Sequence, residues 1–446
     1  MSFCRDALGR SRVSKWMVLC LLCLSALPSI AVELKYALWD ANQLPAYQHC
    51  AKDFQAQHPD IQIKFQQLGW GDYWTAISTG VIAGTAPDVL TNHLAKYPEL
   101  MKNGALLDLG FYLRRDRFDV GIYEPGLFEN WSHKGEQYGL PKDWDTIGLI
   151  VNMRMAKAAG VTREDLWGMR WNPQDGGSFE QVVRKLSQDK DGQRGHEPGF
   201  KKHRVRVYGY QNPGPGGMMG QTEWSHFALS TGWTLQSAPW AVTLNYADAR
   251  LADTLSYLAS LADKGYSARF ELTRSLGAGA LFMAQRVAMI PEGSWMVNYF
   301  AHNARFEHAW VPLPIGPSGL RATLFNGLAD SIWSGTKHPE QAWAWVKYLG
   351  SAACQKTVAT YGVVNPAVRG LAQESRAVLM AKGVDSSAFL EMADTRLSRL
   401  APPPIVPRAA EINEIVGNAI EAVLIGKLSA AEALRRADKK VNELLR

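Results

Sequence analysis

Between Glu33 and Leu90 the apolar spacing switches repeatedly between a period of two and a helical period, and this alternation restricts the fold more than any other feature. Glu33 to Leu38 reads as a short strand. Leu44, Tyr47, Ala51 and Phe54 then recur at helical spacing, with Cys50 on the same face, and His58-Pro59-Asp60 ends that run. Ile61, Ile63 and Phe65 alternate as a strand with one buried face. Gly69-Trp70-Gly71-Asp72 is a turn, Tyr73 to Ala83 a second helix, and Gly84-Thr85-Ala86-Pro87 a break before a third strand at Asp88 to Leu90. A βαβαβ order means a parallel sheet with helices on its faces. Such sheets receive ligands beyond the carboxyl ends of their strands. Trp39 and Asp40, Trp70 and Asp72, and Asn92 and His93 fall at those ends and are the first candidate binding residues.

At 446 residues the chain suggests two or three domains, and 47% hydrophobic with 20% charged residues fits a soluble globular protein. Arg5, Arg10, Arg12 and Lys15, then the apolar run Trp16 to Leu27, then Ser29-Ile30-Ala31, read as a cleaved signal peptide covering residues 1–31. The residues before Cys20 and Cys23 are not the small ones a lipidation signal needs. Without that leader the formal charge falls from +6 to +3, which gives no basis for nucleic-acid binding. The one basic run, Lys201 to Arg206, reads as a solvated loop. No later stretch is apolar enough to span a bilayer. Cys50 and Cys354 remain after the leader, each in an expected helix. The reading favours two buried thiols over a disulfide.

The stretch Tyr138 to Asn152, YGLPKDWDTIGLIVN, joins a polar aromatic segment to an apolar strand, Ile147 to Val151. Gly139, Pro141 and Gly148 suit a chain that must bend. This stretch resembles the first lobe-to-lobe crossing of bacterial extracellular solute-binding proteins of the sugar-binding family, with Thr146, Gly148, Leu149 and Asn152 in place and Val151 where a Tyr is common. Trp70 to Leu90 resembles the same family through Ala83, Gly84, Pro87, Asp88 and Val89, and Gly104 to Leu109, GALLDL, resembles its next turn.

The order of later segments is also similar. Trp171-Asn172-Pro173 leads to Ser178-Phe179-Glu180-Gln181, a capping-box pattern opening a helix. Gln211 to Gln221, QNPGPGGMMGQ, is too rich in Gly and Pro for a regular element. It reads as a cleft-lining loop whose bare backbone admits a ligand, with Glu223 and Trp224 following. Pro291 to Trp295 resembles a family turn that projects Trp295 into the cleft. Trp310 to Pro314 reads as the return to the first lobe, Asn326 precedes a short strand, and a third crossing is expected near Gly370.

The resemblance implies an α/β fold of the type II periplasmic binding-protein kind. Two discontinuous lobes, 32–145 with 305–370 and 146–304 with 371–446, are joined by crossing strands with a cleft between. It implies a periplasmic, monomeric, sugar-binding component of an ABC importer, its partners a carbohydrate and the membrane permease. The implied ligand-binding set adds Trp144, Asp145, Glu223, Trp224, Trp295 and Asn326 to the six residues above. Trp faces stack on sugar rings, and carboxylates and amides accept their hydroxyls. No catalytic or metal-binding motif occurs, and no cofactor is expected. Two other readings stand beside this one: a polyamine or other cation-binding protein of the same fold, and an exported carbohydrate-active enzyme using carboxylates such as Asp40, Asp145 or Glu223.

Overall fold

A computed structural model describes residues 31–446, and the leader expected at 1–31 lies, apart from Ala31, outside them. Buried Leu34, Tyr36 and Leu38 make Val32–Leu38 a strand, parallel to Ile61–Gln67 on one side and Val89–His93 on the other. The βαβαβ reading therefore holds. The sheet then continues antiparallel. Asn326–Ile332 pairs with Val89–His93, Leu140–Asp145 pairs with Asn326–Ile332, and the short Asn365–Pro366 closes the edge, six strands in all.

Helices Leu44–Gln57, Pro339–Leu349 and Ala352–Ala359 cover one face of this sheet. Tyr47, Phe54, Trp343 and Trp345 fill the layer between them. Cys50 and Cys354 face each other there with Cα atoms 5.3 Å apart and are joined as a disulfide, which corrects the expectation of two thiols. The two cysteines are 304 residues apart in sequence, and the chain between them makes its first excursion into the second lobe, to which it returns after Cys354. The bond thus ties the early and late parts of the first lobe directly together.

The second sheet is wholly antiparallel, with Ile147–Asn152 between Met289–Gly293 and His308–Val311. Ile147, Leu149 and Val151 enter the larger core of this lobe, with Trp171, Phe179, Phe227 and the helices Ala249–Asp263, Ala409–Leu424 and Ala430–Leu444. Ile150 faces a second cluster with Phe282, Phe300, Trp310 and Phe389.

Two features differ from the sequence reading. Trp310 and Val311 do not return to the first lobe but pair with Ile150 and Leu149 in the second sheet; the passage back lies at Phe325, between Arg321–Leu324 and Asn326–Ile332. Pro312 and Pro314 end a strand there rather than forming a crossing. Ser178 does not cap its helix. That helix, Gly177–Leu186, starts after Gly176 in a left-handed conformation, and the Ser178 hydroxyl accepts the Arg170 N–H instead. Near Gly370 the helix Leu371–Ala381 spans both regions, its start packed beside Tyr123 and Trp144 and Leu379 packed in the second lobe.

Candidate functional site

The first lobe ends its strands at a cleft, and each candidate follows from where its strand stops. Val32–Leu38 delivers Trp39 and Asp40, Val89–His93 delivers its last residue His93, and Leu140–Asp145 delivers Asp143, Trp144 and Asp145. Asn326 starts the return strand directly opposite Asp145. These side chains, with Trp70, line a cavity of about 450 Å³ whose far wall is Met219, Gln221, Ser294, Trp295 and Met296 of the second lobe.

Trp70 lies in the first turn of the helix Trp70–Ala83, because Gly69 rather than Asp72 takes the N-cap position. Its ring meets Trp39 edge to face at 5.0 Å and His93 at 5.4 Å, while 46% of it stays exposed. Trp39 in turn leans on Tyr73 and Trp74. An aromatic wall of this kind offers a broad apolar face held by its neighbours. Trp295 closes the other side. Its ring lies over Gly293, where a Cβ would stand 2.1 Å from the indole, so only glycine lets the ring take that place.

The polar groups are tied into a network that crosses the cleft. Asp145 Oδ1 accepts from Gln221 Nε2 at 2.6 Å, and Oδ2 accepts from Asn326 Nδ2 at 2.9 Å. Gln221 belongs to the second lobe, so this pair bridges the two walls. Burial, and then the neighbouring charge of Asp143, hold the Asp145 carboxyl well above the usual carboxylate range. Asp143 accepts the Leu328 N–H on one oxygen and has no partner on the other. Burial pushes its pKa up to about 7, against the pull of Lys142. His93 is lowered to about 4 by burial and by Lys96, so its ring is neutral. Its Nδ1 accepts the Ala95 N–H, and its Nε2 lies 3.3 Å from Asn326 Nδ2.

Lys142 points away from the cavity into the first lobe. Its ammonium donates to Tyr36 Oη at 2.8 Å and Thr91 Oγ1 at 2.9 Å and pairs with Asp330 at 3.5 Å. A buried cation of this sort is tolerated only when so partnered.

The sequence candidates thus divide. Trp39, Asp40, Trp70, His93, Trp144, Asp145, Trp295 and Asn326 come together around one cavity. Asp72 does not: it is exposed on the outer side of its helix turn. Asn92 alternates to the opposite face of its strand from His93, where its amide donates to Ser331 Oγ. Glu223 is turned back onto Thr222, whose hydroxyl donates to it. Trp224 is wholly buried against Trp233, its indole N–H donating to the Pro215 carbonyl.

The glycines of the 211–221 loop explain Trp224. Gly216, Gly217 and Gly220 all take positive φ, and a Cβ on Gly217 would meet Asn413 at 2.1 Å and one on Gly220 the Trp224 indole at 2.2 Å. Their bareness serves packing within the lobe rather than approach of a ligand, while the loop's side chains Met219 and Gln221 reach the cavity. Asp143, Met219, Gln221 and Ser294 were missed. For Asp143 the strand end carried the signal, since it lies two residues before Asp145.

Among the described residues no group of three or more His, Cys, Asp or Glu stands close enough to hold a metal ion, and no helix is long and apolar enough to cross a membrane.

Comparison with known proteins agrees with this geometry. A binding protein of Brucella abortus (strain 2308) is 21% identical over 426 residues, 93% of each chain. The maltotriose-binding protein of Pyrococcus abyssi is 26% identical over 138 residues, 30% of this chain and 29% of that one. The solved ABC substrate-binding protein of Listeria monocytogenes in complex with cycloalternan superposes with a TM-score of 0.78 at 20% identity, covering 93% of this chain and 99% of that one. The two-lobe architecture is therefore that of the type II periplasmic binding proteins. The family model described as bacterial extracellular solute-binding protein matches residues 49–382, three quarters of the chain's length, and to that family the chain belongs.

Proposed function

We propose that the protein captures a sugar or oligosaccharide between its lobes and delivers it to the membrane permease of an ABC importer. One observation carries this reading: indole faces on both walls, Trp39, Trp70 and Trp144 against Trp295, enclose a cavity edged by Asp, Asn and Gln side chains. A sugar has that double character, with apolar ring faces to stack and hydroxyls to satisfy. The relatives named for maltotriose and cycloalternan support a carbohydrate over the polyamine and enzyme readings. The protein binds without turnover, acts as a monomer, and reaches the periplasm through the leader at 1–31.

The chain passages at Thr146 and Phe325 serve as the hinge. The Thr146 hydroxyl donates to the Phe389 carbonyl, and the Phe325 N–H to the Ala401 carbonyl. A ligand touching both walls favours the closed form in proportion to the contacts it makes only there.

Titration calorimetry of the protein lacking residues 1–31 tests the reading, with maltotriose, mannotriose, cycloalternan and spermidine as probes. The expected result is heat from a carbohydrate with unit stoichiometry and no product on chromatography. Replacing Trp70 by Ala weakens that binding about tenfold while leaving the melting temperature nearly unchanged. Binding of spermidine alone, or hydrolysis of a bound glycan, overturns it.

A further inference from the structure

The charge of the cavity is one-sided. Among the described residues its lining contains Asp40, Asp143 and Asp145, and no lysine or arginine. Lys142 is next in sequence to Asp143, but its ammonium is spent on Tyr36, Thr91 and Asp330 behind the sheet. The carboxylates differ in what they still offer. Both Asp40 oxygens are engaged, by the Asn42 N–H and by Gln43 Nε2. Both Asp145 oxygens are engaged, by Gln221 and Asn326. Asp143 is 3% exposed, lines the cavity, and has one oxygen with no partner. In the second lobe Glu292 is also raised, to about 8, by burial and by the charge of Glu223, and its side chain has no hydrogen bond from another side chain.

Resting on the carbohydrate reading above, we propose that the ligand is a carbohydrate bearing a protonated amino group, seated against the free oxygen of Asp143. A neutral hydroxyl donates one hydrogen bond to that oxygen but does nothing to offset the cost of ionising a buried carboxyl. An ammonium group both donates and neutralises, and in a site of low dielectric the second effect is large. A sugar phosphate or uronic acid finds carboxyl groups and no cationic side chain in this lining, which disfavours it. The indole faces fit the same ligand, because they stack on the ring and attract a cation over their faces.

The test compares matched disaccharides that differ at one group: the β-1,4 dimer of glucosamine, the N-acetylated dimer, and cellobiose, each titrated into the wild-type protein, with maltotriose, mannotriose and spermidine alongside. The amine dimer is expected to bind about ten- to a hundredfold more tightly than either matched sugar, and to weaken as salt is raised. In Asp143→Asn that preference collapses towards one, since the amide keeps the shape and the bond to Leu328 but loses the charge. The salt response of the wild type stands as an independent reading if the variant fails to fold. Equal or tighter binding of cellobiose, the acetylated dimer, maltotriose or mannotriose overturns the amine and leaves the carbohydrate reading intact. Binding of spermidine with none of the sugars overturns the carbohydrate reading itself.

Discussion

The two walls of the cleft are built on different principles. The first-lobe wall stands at the ends of sheet strands: Trp39, His93, Trp144 and Asp145 are each a terminal or near-terminal strand residue, and a disulfide ties the helices behind them. The second-lobe wall is a glycine-rich loop carrying Met219 and Gln221 and a single turn of 3-10 helix, Ser294–Met296. One wall is fixed by backbone pairing across six strands. The other depends on side chains packed under loops. The difference suggests that the first wall sets where a ligand lies and the second follows it on closure.

Deep packing decides the second wall, and the largest effect is expected there. Trp224 fills the space beneath the loop, touching Trp233 and the backbone at Gly220. Trp224→Ala should cost about 3–5 kcal/mol of stability, against near zero for the exposed Trp70→Ala. Urea unfolding of both variants checks the pair. Similar losses from the two would show that the indoles are not divided between core and cleft as described.

The first wall has its own weak point in the buried ion pair, where Lys142 and Asp330 are each 1% exposed. Lys142→Met leaves the Asp330 carboxylate buried without its cation and should cost about 3–5 kcal/mol, with the double variant Lys142→Met/Asp330→Leu recovering part of the loss. Unfolding free energies of the two variants measure the recovery, and no recovery in the double variant would refute a charge-based cost.

Reduction of Cys50–Cys354 is expected to act on one lobe only. Both cysteines lie in the first lobe's helical layer, so a Cys50→Ala/Cys354→Ala protein should lose about 2–4 kcal/mol there and leave the second lobe's transition in place. Calorimetry with and without reductant reads this. A uniform shift of the whole transition would mean that the lobes unfold as one unit.

How far the site was legible follows the same division. The rule that parallel strands present ligands at their carboxyl ends found Trp39, Asp40 and His93, and the crossing motif found Trp144 and Asp145. It failed at Asn92 because neighbouring strand residues face opposite ways, so only one of Asn92 and His93 reaches the cleft. The second wall was hardly legible. Glu223 and Trp224 were named from their place after the loop, but a side chain on irregular backbone takes its direction from tertiary packing, here from Trp233 against Trp224 and from Asn413, distant in sequence, against Gly217. The disulfide was likewise hidden by its 304-residue separation. The return strand was misplaced because Trp310-Val311 and its prolines look the same in either sheet, and only pairing with Ile150 and Leu149 distinguishes them.

The smallest expected effect tests whether the charges of the two walls balance in the same way. Each lobe holds a histidine pulled down by burial, His93 to about 4 and His226 to about 3, and an acid pushed up by burial, Asp143 to about 7 and Glu292 to about 8. As pH falls below about 6.5 the unfolded chain protonates its histidines while the native protein does not, so stability drops. Over the fall from about 8 to about 4 the native acids take up protons before their unfolded counterparts, so stability rises. The two contributions oppose each other through the acidic window. Asp143→Asn removes the opposing term from the first lobe, and Glu292→Gln removes it from the second. Both variants should lose stability more steeply than the wild type between about pH 7 and about pH 4.5. Melting temperatures across that window decide it: a slope steepened by Glu292→Gln but not by Asp143→Asn would mean that the Asp143 carboxyl is already ionised in the folded protein, with the charge beside Lys142 outweighing its burial.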